Sequence, residues 1–152
     1  FKSLPENVSL WKLSKITIIT RNKNSLNELI SNFENEINIE GVLNTHNEID
    51  NIIKDTDLIV NTTPVGMNQT SNDNELPFGH GIWNSISSNT IVYDLIYNPS
   101  PTPLLKFCDK KGCMTIDGLQ MLIAQGAKSL SYWTNGVQVP FEVMHEAIKE
   151  YL

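Results

Sequence analysis

Two rhythms of apolar and polar positions take turns along this chain. Ile16-Thr-Ile-Ile-Thr20 is a β-branched run of strand length, and Leu26, Leu29, Ile30 and Phe33 then recur at the spacing of a helix beginning near Ser25. A weaker strand pattern follows around Glu40-Gly-Val-Leu43, and a short helix is predicted from Glu48 to Lys54. Leu58, Ile59 and Val60 form a continuous apolar run, which suits a strand covered on both faces of a parallel sheet. Thr90-Ile-Val-Tyr-Asp-Leu95 reads as another strand. Pro101 and Pro103 open a helix through Leu104, Leu105 and Phe107, which Gly112 closes. Met114-Thr-Ile116 is a short last strand, and residues 118–133 are a long apolar helix. Pro140 starts a final helix carrying Phe141, Met144, Ile148 and Leu152. Residues 1–14 have the weakest pattern: Ser3, Pro5 and Glu6 resemble a helix start, with Val8, Trp11 and Leu13 on one side.

Strands alternating with helices imply an α/β fold around a parallel sheet. The chain shows no internal repeat, low-complexity tract or linker, so residues 1–152 are expected to form one domain. Residues 68–88 hold Pro77, Gly79 and Gly81 and no periodic pattern, and an irregular segment of this length is usually functional or mobile.

In open α/β sheets ligands sit beyond the carboxyl ends of the strands, which directs attention to the residues just after each strand. Asn61, Thr62 and Thr63 place donors and acceptors after the Leu58 run; Pro64 stops the ladder, and Gly66 allows close approach of backbone to a ligand. Arg21 follows the Ile16 strand, with Lys23 close by and no acid before Glu28. Dinucleotide-binding folds place an acidic residue here to hold the 2′-hydroxyl of NAD, or an arginine to accept the 2′-phosphate of NADP. A solvated turn arginine is the plainer alternative. Tyr97 follows the strand ending near Leu95 and brings a phenol suited to a polyol or carboxylate. Asp94 has the character of a structural residue bonding backbone at the strand end. Gly118, Met121 and Gln125 share one helix face, and Gln125 is a polar amide in a mostly apolar helix. Met67 and Met121 would equally serve as core fillers.

Composition trims the alternatives. A hydrophobic content of 40% in 152 residues supports one real core, and no apolar run approaches the ~20 residues of a membrane span. A net charge of -6, scattered along the chain, argues against a nucleic-acid surface. Cys108 and Cys113 are too few for a disulfide framework and suit reduced thiols in a cytoplasmic protein. His46, His80 and His145 make no metal-ligand spacing, and the Asn-x-Ser/Thr matches at Asn7, Asn61 and Asn68 read as chance.

The segments Asp57-Leu-Ile-Val-Asn-Thr-Thr-Pro-Val-Gly-Met67, Val92-Tyr-Asp-Leu-Ile-Tyr-Asn-Pro99, Thr102-Pro-Leu-Leu105 and Asp117-Gly-Leu-Gln-Met-Leu-Ile-Ala-Gln-Gly126 stand in this order. Together they resemble the carboxyl-terminal, NADP-binding half of shikimate dehydrogenase, over roughly residues 16 to 150. The resemblance implies NADP as cofactor, held by Thr20, Arg21, Asn22, Thr62, Thr63, Met67, Leu95, Gly118 and Met121. It implies Tyr97 and Gln125 as contacts to shikimate or 3-dehydroshikimate. The family's Asn-Arg-Thr signature stands here as Thr20-Arg21-Asn22, and a further basic residue often present falls on Ser25. The Gly-rich loop between the family's first strand and first helix is missing, and no G-x-G-x-x-G occurs. The family's catalytic lysine and aspartate belong to an amino-terminal substrate domain with no counterpart in this sequence, so no catalytic residue is assigned. The expectation is therefore an incomplete Rossmann-type domain whose strands are numbers two to six. In the order 3-2-1-4-5-6, a missing first strand leaves the Ile16 and Leu58 strands each with an unpaired edge. A sister enzyme acting on quinate, or a non-catalytic degenerate domain, remains the alternative.

Overall fold

The predicted alternation is present in the computed structural model, which describes residues 13–45, 49–67, 75–79 and 81–149. In order come β1 (Ile16–Thr20), α1 (Lys23–Phe33), β2 (Ile39–Leu43), α2 (Ile49–Lys54), β3 (Leu58–Asn61), β4 (Ile91–Asp94), α3 (Pro103–Lys110), β5 (Met114–Ile116), α4 (Leu119–Trp133) and α5 (Phe141–Lys149). The chain packs as two compact units, Phe1–Asn47 and Glu48–Leu152.

In the first unit β1 and β2 run parallel, with Ile16 opposite Ile39 and Thr20 opposite Leu43. Helix α1 covers them through its buried Leu26. It begins ahead of Ser25, because the side-chain oxygen of Asn22 accepts from the N–H groups of Asn24 and Ser25 at 3.0 and 3.1 Å. A polar cap, rather than the first apolar residue, sets the start of this helix.

In the second unit β3, β4 and β5 form a parallel sheet in that order, and Asn61 stands directly opposite Asp94. Val92 and Asp94 point to a face with no solvent exposure, where Leu104, Leu105 and Cys108 of α3 are also buried. The alternate positions are open: Leu58 is 38% and Val60 44% exposed. The expectation that this strand is covered on both faces is thus corrected. Among the described residues it is an edge strand of its sheet, and its apolar run is covered on one face only. In each sheet the strand expected to flank a first Rossmann strand, β1 or β3, has a partner on one side only among the described residues. The helix start read into residues 1–14 lies, apart from Leu13 and Ser14, outside the described residues.

Residues 75–79 and 81–88, part of the irregular segment 68–88, contribute to packing. Leu76, Trp83 and Ile86 are buried, and the indole N–H of Trp83 donates to the Pro77 carbonyl at 2.6 Å. A 3-10 turn, Ile82–Ser85, packs against α2, whose Ile49 and Ile53 are buried. A tryptophan that satisfies its one donor internally can sit fully inside a core, and here it turns part of a loop into packing. Residues 68–74 lie outside the described residues.

Helix α3 ends in a tight cap in which the N–H of Gly112 donates to Asp109 O and the N–H of Cys113 to Cys108 O, at 2.9 and 3.1 Å. This double bond pattern brings the side chains of the two outer residues together, here Cys108 and Cys113. Both thiols are free and buried. Burial pushes Cys108 up to about 12 and raises Cys113 as well.

Candidate active site

The carboxyl ends of β3, β4 and β5 lie side by side, and a set of polar side chains ties them together. Asp94, with no solvent exposure, stands at their centre. Its Oδ1 accepts from Asn61 Nδ2 at 3.0 Å and from the Ile96 N–H at 3.1 Å. Its Oδ2 accepts from the Thr102 hydroxyl at 2.7 Å. Thr102 also caps α3 by accepting from the Leu105 N–H, with Pro103 at the first helical position, where a missing N–H costs nothing. Asn61 Oδ1 in turn accepts from the backbone N–H and hydroxyl of Thr63, at 3.0 and 2.8 Å. Burial pushes the Asp94 carboxyl above its ordinary value, and the bonds from Thr102, Ile96 and Asn61 pull it back. Every buried side-chain nitrogen and oxygen of the group has a hydrogen-bond partner, which is what permits a carboxyl group to be buried.

The β5–α4 junction is attached to the same end. Gly118 donates its N–H to Ile96 O at 3.1 Å, and a Cβ built on it would lie 1.9 Å from Leu95 O. Glycine is required here by the backbone of the neighbouring strand end, a nearer reason than room for a flat ring. Asp117 accepts from the Leu119 N–H at the start of α4 and from the Ser100 hydroxyl, joining the loop after β4 to the one after β5. Gly66 has φ +102 and is buried against Pro103 and Thr102, so the turn itself demands it.

The site residues anticipated from the sequence fall into two sets by unit. Thr20, Arg21 and Asn22 stand at the end of β1 and the start of α1. Arg21 is exposed and has no hydrogen-bond or charge partner among the described residues. Thr20 accepts from the Asn22 N–H and Asn22 caps the helix, so both are engaged in shaping the turn. Thr62, Thr63, Met67, Leu95, Tyr97, Gly118, Met121 and Gln125 all belong to the second unit, beyond the carboxyl ends of its strands or on α4. Met67, Tyr97 and Met121 are 42%, 39% and 40% exposed. Side chains this exposed are poor core fillers. Gln125 is exposed, and its amide has no partner among the described residues; the same holds for the Tyr97 phenol. Thr63, by contrast, is bound to Asn61 and to the Val65 N–H. The polar groups around Asp94 are consumed internally, while those of the Arg21, Tyr97 and Gln125 side chains have no partner among the described residues. Sequence reasoning missed how Asn61, Asp94 and Thr102 act as one group. The available signal was a polar residue ending each of two adjacent strands.

Residues 118–149 match the family model described as the Shikimate 5'-dehydrogenase C-terminal domain. The shikimate dehydrogenase (NADP(+)) of Prochlorococcus marinus subsp. pastoris is 76% identical over 151 residues, which is 99% of this chain and 53% of that protein. The chain is similar to shikimate dehydrogenases. It spans about half the length of the curated relatives it matches. Among solved structures, shikimate 5-dehydrogenase from Listeria monocytogenes, in complex with shikimate and NAD, superposes with a TM-score of 0.78 at 23% identity. The match covers 93% of this chain and 50% of that one, and at this identity it shows the fold alone. A shikimate dehydrogenase in complex with NADP+ is 32% identical with a TM-score of 0.70, over 90% of this chain and 46% of its own. The parallel α/β architecture is therefore the Rossmann-like fold of shikimate dehydrogenases, and the site described lies where that fold places ligands.

Proposed function

We propose that residues 1–152 form the NADP-binding domain of a cytoplasmic shikimate dehydrogenase, which reversibly reduces 3-dehydroshikimate to shikimate with NADPH. The observation that carries this reading is 76% identity across 99% of the chain to a protein named for that activity and cofactor. The residues fit the cofactor. The start of α1 has exposed Arg21 and Lys23 and no acid in its first turn, which suits a 2′-phosphate. Thr20 and Asn22 keep that turn in shape. Met67, Met121 and Leu95 offer apolar surface to a nicotinamide, with Thr62 and Thr63 lining the same side and Gly118 starting the helix that carries Met121. When bound, NADPH supplies the hydride.

The chain's own contribution is orientation. Tyr97 and Gln125 have free polar groups to hold the hydroxyls or carboxylate of the substrate, and the open methionines exclude water from the transfer. No residue of this chain is assigned to protonate the carbonyl oxygen. In this reading that task falls to an amino-terminal substrate domain, as in the family this chain resembles. The partners are the cofactor and the small-molecule substrate, without nucleic acid or membrane; no helix of the described residues is long and apolar enough to cross one.

The test is a fluorescence titration of the chain with NADPH and NADH. Saturable NADPH binding is expected, with NADH weaker. Arg21→Ala should weaken NADPH by about tenfold or more, the loss of a charge-assisted phosphate contact of ~1.5–3 kcal/mol, and leave NADH unchanged. Equal losses for both cofactors would remove Arg21 from the site, and no saturable binding would remove the cofactor from the chain.

A further inference from the structure

We infer that Asp94 is a positioning residue for the cofactor and substrate contacts, acting through Asn61, Thr102 and the Ile96 backbone. The inference rests on the reading of this sheet end as the NADP site. Asp94 is fully buried and cannot touch either ligand. Its three accepted hydrogen bonds come from three different segments: the last residue of β3, the loop after β4, and the cap of α3.

Each bond fixes something with an assigned role. Through Asn61 Nδ2, Asp94 orients the Asn61 amide so that its oxygen accepts twice from Thr63. The Asp94 acceptor and the two Thr63 donors agree on one orientation of the Asn61 amide, so losing the carboxylate loosens the Thr62–Thr63 turn. Through the Ile96 N–H, Asp94 holds the backbone between Leu95 and Tyr97. The Ile96 carbonyl is held in turn by Gly118, so the start of α4, which carries Met121 and Gln125, is referred to the same point. Through Thr102 the cap of α3 is joined to the group, and Gly66, just ahead of Met67, packs against it. One buried side chain thus sets the relative position of all the second-unit contacts. A merely structural carboxylate would hold strands together without governing the turn that carries Thr62 and Thr63.

The experiment has two arms, run on the intact chain. Hydrogen exchange is measured for Thr63, Ile96 and Gly118 in the wild type, Asp94→Asn and Asp94→Ala, and NADPH affinity is measured in parallel well below each melting midpoint. Asp94→Ala should speed exchange at Thr63, which Asp94 does not touch, as well as at Ile96. It should weaken NADPH by roughly 10- to 100-fold, the scale expected when contacts are displaced by about 1 Å. Asp94→Asn keeps an oxygen for Asn61 and Ile96 and lets Thr102 accept, so it should restore most of both. Unchanged Thr63 exchange, or a lower midpoint with wild-type NADPH affinity, would overturn the proposal. If the wild type itself fails to bind NADPH, the exchange arm still decides whether Asp94 governs Thr63, and the fault lies with the cofactor reading. Should Asp94→Ala fail to fold, Thr102→Val frees one Asp94 oxygen without touching Asn61 or Thr63, and it must still speed exchange at Thr63.

Discussion

Gly118→Ala isolates a single methyl group at the junction of β4, β5 and α4. The added Cβ would lie 1.9 Å from Leu95 O and 2.5 Å from Leu95 C, both backbone atoms that no rotamer change can move aside. Contacts this short are not tolerated in a close-packed interior, so the two chain segments must part by more than ~1 Å. That separation would break the 3.1 Å bond from the Gly118 N–H to Ile96 O. Overpacking of this kind costs ~1–3 kcal/mol and the lost bond ~1 kcal/mol, together ~2–4 kcal/mol. For a domain of this size that lowers the melting midpoint by roughly 4–16 °C. The assay is thermal unfolding followed by circular dichroism, with Gly81→Ala as the reference. A Cβ at Gly81 meets nothing within 4 Å and its φ is -59, so that variant should stay within ~1 kcal/mol of the wild type. If Gly118→Ala melts with Gly81→Ala, the Leu95 backbone is not the constraint. Wild-type stability combined with lost NADPH binding would instead mean that the glycine makes room for the nicotinamide.

Gln125→Ala should leave the midpoint within ~0.5 kcal/mol of the wild type, since its amide is exposed and has no partner among the described residues. In a complete enzyme carrying this sequence it should raise KM for shikimate; a lowered midpoint with unchanged kinetics would make it a packing residue. Cys108 should resist a thiol-directed disulfide reagent at pH 8 in the native chain and react once guanidinium unfolds it. The unfolded thiol ionises near its ordinary 9.0, whereas burial holds the native one up to about 12. The native state therefore keeps a proton that the unfolded state has lost, and its stability should fall as pH rises from about 9 towards about 12. Rapid native labelling at pH 8 would contradict the burial of this thiol.

The strand and helix succession was legible because each element carries its own period, down to the short β5. The helix start at Asn22 was less so, since a cap is a matter of side-chain geometry that apolar spacing does not report. The packing of residues 81–88 was hidden for a related reason. The burial of Trp83 depends on a carbonyl six positions away and on α2, neither of which shows as a pattern in the segment itself. The exposed face of β3 could not be read from Leu58, Ile59 and Val60, because a run of apolar residues states what a strand prefers and not what covers it. At the site, the sequence pointed to the strand ends, and the sheet does place Thr62, Thr63, Leu95, Tyr97 and Gly118 there. What stayed hidden was the division of labour among polar residues. Asn61 and Asp94 are opposite each other only once the register of β3 and β4 is known.

The Asn61–Asp94–Thr102 group also constrains inheritance. An apolar replacement at one of the three leaves buried partners without hydrogen bonds, at ~1–3 kcal/mol for each group orphaned. Replacing all three with apolar residues of similar shape still orphans the N–H groups of Thr63, Ile96 and Leu105, which donate into the trio from the backbone. A block exchange is therefore no easier a route than single steps. Any lineage that keeps this sheet end folded should keep the trio whole, whatever becomes of the ligand.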